Sequence, residues 1–269
     1  MSALSRVLGA PGLWVSLLAA QLALALALSR VIASMVAAAL QPYAVEQPGL
    51  LLPAYAELFA DNLPLAVAVA AAFAVAAVLG GLLWIVASGG VIRRLAAPLR
   101  ASEIAAAAVR HLPAMAILSL YSGFLRALLL GNLWIDVLGL GSGVARAVLV
   151  AIGWTLCTAA VDLARADVVL RGAKAHPPRT LLRAFTRAVS RPAVWLSSGT
   201  LTLVTLGLSL TSIAIATRTF GDAGLALWGV RALAAVSVGV TLWRVAIAVQ
   251  AIEAAPADEA AAQRDADAA

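Results

Sequence analysis

The sequence predicts an all-α protein, a polytopic transmembrane bundle of six helices with short interfacial helices on its cytoplasmic side. Composition and patterning carry this prediction. Hydrophobic residues fill 63% of the 269 positions and charged residues 12%, against about 45–50% and about 25% in soluble domains. Mean hydropathy is +0.99. The apolar residues are gathered into six long runs divided by short charged or glycine-containing connectors. This excludes an ordinary water-soluble fold, a disordered chain and a disulfide-stapled scaffold.

About 20 apolar residues at about 1.5 Å each cross the hydrocarbon core. In lipid, backbone groups must bond within their own segment, so each run is read as a helix. The first run, 12–40, follows Arg6. A secretory signal has an apolar core of about 7–15 residues. This run is longer and resumes after Arg30, so an uncleaved first span is expected. The connector after it holds Glu46, Glu57 and Asp61 and no basic residue. The second span, 65–88, leads into a basic stretch with Arg93, Arg94, Arg100 and Arg110 against Glu103. There Pro98 precedes a short expected helix, with Ser102 as N-cap and Glu103 in the first turn. Pro113 then leads into the third span, 114–134.

Asp136 is the one charge of the next connector, where Gly139, Gly141 and Gly143 suggest a flexible turn. The fourth span, 144–161, contains Cys157, the only cysteine. A lone thiol forms no internal disulfide or cysteine-rich metal site, so a small buried hydrophobe is expected. The basic loop that follows holds Arg165, Arg171, Lys174, Arg179, Arg183, Arg187 and Arg191 against Asp167. After His176-Pro177-Pro178, a helix is expected over Thr180–Ser190, stopped before Pro192. Arg179, Arg183, Arg187 and Arg191 recur every fourth position, with Leu181, Leu182, Phe185 and Val189 on the apolar side. Such a cationic amphipathic helix suits a membrane surface, where each basic residue contributes about 1 kcal/mol against anionic lipid. The fifth and sixth spans, 193–217 and 224–252, are joined by a connector with Arg218 and Asp222. Residues 253–269 hold five acids, one Arg and no large apolar residue, and are expected to form a disordered acidic cytoplasmic tail.

The basic connectors alternate with acidic ones, which places both termini in the cytoplasm. Trp14, Trp84 and Trp195 fall at the expected inner ends, Trp134 and Trp228 at the outer ends. This is the usual interfacial preference of the indole ring. Trp154 and Trp243 fall deeper and read as packing residues. The motif of span, basic loop, short helix, proline and span occurs twice in one orientation, the pattern of a parallel internal repeat.

Net charge is +6 and the pI about 10.6. The basic residues sit in membrane-type loops, so no nucleic acid is expected. The expected partners are the bilayer itself, anionic headgroups on the cytoplasmic side and an unidentified membrane protein. Arg30, Arg126, Arg146, Arg231 and Arg244 interrupt apolar runs, where a charge costs about 2.5–3.5 kcal/mol at mid-bilayer on insertion scales. Arg126, Arg146 and Arg231 are candidate anion or lipid contacts, with Arg179, Arg183, Arg187 and Arg191 on the surface helix. Asp162 and Arg244 are a candidate intramembrane pair. Snorkelling to the interface is the plainer role of these arginines, and a cavity for an anion the functional one.

No HExxH or phosphate-loop sequence occurs. Neither His111 nor His176 lies in a span to serve as base for Ser142, and neither has metal-ligand spacing. Asp162-Leu163-Ala164-Arg165 resembles a fragment of the CDP-alcohol phosphotransferase motif, but the glycine and the second pair of aspartates are missing. No catalytic residue, cofactor or metal is therefore expected.

Ser88-Gly89-Gly90 with its basic loop, and Asp162-x-Ala-Arg165 leading to the second basic loop, carry a wider resemblance. The chain resembles a family of bacterial six-span inner-membrane proteins without assigned activity. More distantly it is similar to the membrane domain attached to some glycerophosphodiester phosphodiesterases. The resemblance covers most of the chain to about residue 250 and rests on short motifs. It implies a helical inner-membrane domain and no established catalytic residues. The first functional expectation is a non-enzymatic scaffold or accessory component. The alternative is a transporter or permease subunit for an anionic or amphiphilic solute. A membrane-embedded lipid enzyme would need convergent acids that the sequence does not display.

Overall fold

The computed structural model describes residues 2–40, 63–130, 143–172, 177–218 and 223–255. The elements described there are helices: α1 Ala3–Leu8, α2 Pro11–Leu40, α3 Leu63–Ala96, α4 Ala101–Leu130, α5 Gly143–Arg171, α6 Pro177–Ser190, α7 Pro192–Arg218 and α8 Ala223–Glu253. Among the described residues, five stretches are long and apolar enough to cross a membrane. They are Val78–Ala96, Ala101–Leu129, Gly143–Arg171, Pro192–Ser212 and Trp228–Glu253, with Pro11–Ala27 a shorter apolar stretch. The chain is a multi-pass membrane protein.

Two compact units divide the chain. The first comprises Met1–Pro11, Ile85–Thr205 and Gly239–Ala269, the second Gly12–Trp84 and Leu206–Val238. In the first, α5 packs on α4 and α6, and α6 also meets α4. Met115, Leu118, Val161, Val169, Ala188, Leu242 and Val249 are buried there. Gly89 and Gly90 bring α3 against α4. A Cβ on Gly90 would lie 2.6 Å from the Ile104 carbonyl oxygen, and one on Gly89 3.0 Å from the His111 Cβ. In the second unit, the Trp14 indole N–H donates to the Ala235 carbonyl at 2.8 Å.

Several helices run beyond the apolar stretches that predicted them. α3 continues through Arg93 and Arg94 to Ala96, and α5 continues past Val161 to Arg171. Hydropathy marks where a helix can sit in lipid, whereas the helix itself continues while its polar side chains find partners. Gly172, at φ +65°, ends α5, and its N–H donates to the Val168 carbonyl at 3.1 Å. That is the usual glycine stop beyond a helix C-terminus.

The expected short helix before Pro113 is not a separate element, because α4 passes through Pro113 without a break. Ser102 does not cap it. Arg100 precedes the first turn, its N–H donating to the Glu103 Oε2 at 2.7 Å, one half of a capping box. The second expected surface helix is separate, ending at Ser190 before Pro192. The two halves of the proposed repeat therefore differ. α1 was not expected; the Ser2 hydroxyl caps it by accepting the Ser5 N–H at 3.2 Å. Glu253 belongs to α8 rather than to the tail, and Trp243 is exposed rather than packed.

Candidate functional site

α5 carries three charged side chains inward: Asp162 at 4% exposure, Arg165 at 8% and Asp167 at 2%. Asp162 and Arg165 are three residues apart and share a face. Asp167 turns to a different side, toward α6. These residues form two charged layers.

In the first layer, Arg244 of α8 donates from Nε to the Asp162 Oδ2 at 2.6 Å. Arg165 donates from Nη2 to the Ser119 hydroxyl of α4 at 2.7 Å, in the field of Asp162, Arg126 and Arg244. Arg126 of α4 donates from Nη2 to the Thr158 hydroxyl at 3.3 Å. Its guanidinium lies 5.0 Å from the Trp154 ring centroid and beside the Cys157 thiol. In this layer Arg244 bonds the carboxylate, while Arg126 and Arg165 end on hydroxyls. The buried Nε atoms of Arg126 and Arg165 have no hydrogen-bond partner. A buried donor without a partner calls for a water or an ion, and an under-neutralised buried charge is costly.

The second layer is balanced differently. Asp167 accepts from the Arg187 Nη1 at 3.1 Å and lies 3.6 Å from the Arg171 Nε. Arg171 also donates to the Ile252 carbonyl at 2.9 Å, and Arg191 to the Ala251 carbonyl at 3.0 Å. These carbonyls belong to the last turn of α8, where cations are favoured; that of Ile252 also accepts the Ala255 N–H at 3.3 Å. Nearby, Arg6 makes a two-pronged pair with Glu253, at 3.0 and 2.5 Å, and donates to the Leu95 carbonyl at 3.1 Å. Arg94 reaches the Gly9 carbonyl at 3.0 Å.

The candidate residues are distributed as follows. Asp162 and Arg244 are joined, and Arg126 belongs to their layer. Arg146 lies half-buried in the first turn of α5. Arg231 belongs to the second unit, 5.5 Å from the Trp228 ring centroid, where it lines a groove of about 480 Å³ with Leu18, Leu22 and Leu26. On α6, Arg179 is exposed, Arg183 half-buried and Arg187 on Asp167, and Arg191, just after the helix, is on the end of α8. Leu181, Ala184 and Ala188 are buried, whereas Leu182 and Val189, expected on the same apolar side as Leu181, are 70% and 61% exposed. The α6 cations therefore do not form one free stripe, since Arg187 and Arg191 turn toward the bundle, where a buried carboxylate and helix-end carbonyls attract them. Glu46, Glu57, Asp61, Asp136, Asp222, Gly139, Gly141, Ser142, Lys174, His176 and the tail beyond Ala255 lie outside the described residues.

Arg165 is the residue that sequence reasoning missed, having been assigned to a loop. Its signal was the spacing to Asp162 on a helical face, next to an apolar run already holding Cys157. Among the described residues, no three His, Cys, Asp or Glu side chains gather as metal ligands. Compared with known proteins, the chain matches no family model, no curated sequence and no solved structure.

Proposed function

We propose that the chain is a six-span protein of a bacterial inner membrane, with both termini cytoplasmic, that binds an anionic or amphiphilic solute within its helices as a permease or permease subunit does. It works without catalytic chemistry of its own. The observation that carries this reading is the Arg126, Arg165 and Arg244 cluster around the single carboxylate of Asp162. An anion supplies the charge that this layer lacks. The thirty residues of α2 offer the sixth crossing. The Arg6–Glu253 pair sets the first and last described helices side by side, which favours an even number of crossings. The basic residues gathered near that end support a cytoplasmic assignment. Kinship with the phosphodiesterase-linked membrane domains belongs to the same proposal and rests on the motifs above.

Reconstitution of the full chain into liposomes tests the reading. Labelled inorganic phosphate and a fluorescent short-chain phosphatidylglycerol serve as probes. One of them is expected to bind saturably or to cross faster than in protein-free vesicles, and to do so less with Arg165→Gln. If neither probe binds or moves, the reading fails. Topology is tested separately in a Cys157→Ala background, with single cysteines at Ser2 and Ala254. Labelling of both from the same side is expected.

A second reading, an accessory or scaffold component, has one observation in its favour. α6 leaves Leu182 and Val189 exposed beside the exposed Arg179, a combination suited to a membrane surface or a partner helix.

A further inference from the structure

Resting on the anion-binding reading, we propose that the occupant is an anionic phospholipid from the leaflet on the α6 side, its phosphate held by Arg126, Arg165 and Arg244 and an acyl chain lying in the groove between α5 and α7. The groove holds about 290 Å³ and is lined by Ile152 and Thr155 of α5 and by Trp195, Gly199, Thr200 and Leu203 of α7, among others. Ile152, Leu196 and Leu203 are 43%, 58% and 50% exposed. It therefore opens sideways, toward lipid, and its walls are mainly apolar. An aqueous solute gains little there, and a hydrocarbon chain fits.

The groove and the cluster lie in register. Val148, Thr155 and Asp162 are successive sevenths on α5, which is one stripe of a helix. Val148 and Thr155 line the groove, and Asp162 lies about 10 Å beyond Thr155 along the axis. The near end of the groove is polar. The Trp195 indole N–H donates to the Thr155 hydroxyl at 3.4 Å, and Thr158, the acceptor for Arg126, is one turn further on. The Ser198 hydroxyl, beside Gly199, is buried without a hydrogen-bond partner.

Depth agrees with a headgroup. The 29 residues of α5 span about 43 Å, more than the roughly 30 Å of a hydrocarbon core. Arg165 lies six residues from the α6-side end, about 9 Å along the axis. That level is close to the edge of the hydrocarbon, where a lipid phosphate drawn slightly inward would sit. Charge complementarity selects the headgroup. A zwitterionic lipid brings its own cation, whereas a net anionic phosphate answers three guanidinium groups of which Arg244 alone is bonded to the carboxylate of Asp162.

The full chain in nanodiscs of phosphatidylcholine doped with phosphatidylglycerol provides the test, read by native mass spectrometry after washing into a neutral detergent. One phosphatidylglycerol per chain is expected to remain. Arg165→Gln is expected to weaken its retention about tenfold or more, the loss of one charge-assisted hydrogen bond. Arg165→Lys, which keeps the charge, should retain more than Arg165→Gln. Thr200→Trp fills the groove from its exposed side and leaves every guanidinium in place. It is expected to release the lipid while sparing the binding of inorganic phosphate. Asp162→Asn removes the competing carboxylate and is expected to tighten lipid binding, an effect that a purely structural ion pair would not give. Unchanged retention in both Arg165→Gln and Thr200→Trp overturns the inference. Binding of inorganic phosphate with no lipid retained overturns it too, but leaves the anion-binding reading standing. Binding of neither overturns both.

Discussion

Asp162 and Asp167 stand five residues apart on one helix and are almost equally buried, at 4% and 2% exposure, yet their surroundings differ in kind. Around Asp162, the surplus cations end on neutral groups: the hydroxyls of Ser119 and Thr158 and the face of Trp154. Around Asp167, the surplus ends on the carbonyls that close α8, which carry partial negative charge. The Asp167 layer ties α6 and α8 to α5, and one of its buried donors, the Arg171 Nη1, has no hydrogen-bond partner. The Asp162 layer has two such donors, the Nε atoms of Arg126 and Arg165, and these are where the proposed anion would bind. Burial alone would have ranked the two alike, and the partners of the spare guanidinium groups separate them.

Asp167→Asn should produce the largest effect. It leaves Arg187 and Arg171 beside a neutral amide, and breaking a buried pair costs about 3–5 kcal/mol. Unfolding in a mild neutral detergent should show that loss, and trypsin should cut α6 sooner at Arg183 and Arg187. Anionic lipid should not rescue the variant. Full rescue would show that the Asp167 layer is also open to an anion.

Asp162→Asn is the companion experiment and should separate the two layers by sign. In neutral detergent it destabilises, because Arg244 loses its carboxylate. Phosphatidylglycerol should restore about 2–3 kcal/mol when present about a hundredfold above its dissociation constant. Equal rescue of both variants, or of neither, would erase the distinction drawn between the layers. Arg126→Leu should do less. It loses a ring contact and one hydrogen bond, worth about 1 kcal/mol each, but also relieves part of the positive excess. The expected change in stability is within about 1 kcal/mol, while retention of the lipid falls.

The helical class was legible because length and apolarity decide it. α6 was legible because its proline boundary and four-residue basic rhythm are local. The rule that a helix stops before proline holds at Pro192, where the chain breaks. The same rule fails at Pro113, through which α4 continues. The carbonyl it leaves without a helical donor belongs to Val109, one turn back. Arg165 was not legible. Its hydrogen-bond partner is 46 residues away, and composition placed it in a loop because charged residues usually belong there. The inward turn of Arg187 was hidden in the same way, since it depends on Asp167 being buried on a neighbouring helix.

Glu253→Gln calibrates the scale at its low end. Arg6 and Glu253 make a two-pronged pair with short distances, better geometry than that of Asp167. The Glu253 side chain, however, is 37% exposed, against 3% for Asp167. Water and salt screen such a pair, and exposed pairs contribute about 0.2–1 kcal/mol. The same detergent unfolding measurement should therefore move by less than about 1 kcal/mol, and the shift should shrink further at high salt. The Arg6 bond to the Leu95 carbonyl remains in the variant, so α1 should stay docked. A loss as large as that from Asp167→Asn would mean that geometry, rather than burial and the identity of the neighbouring groups, sets the worth of these ion pairs, and the contrast between the layers of α5 would lose its physical basis.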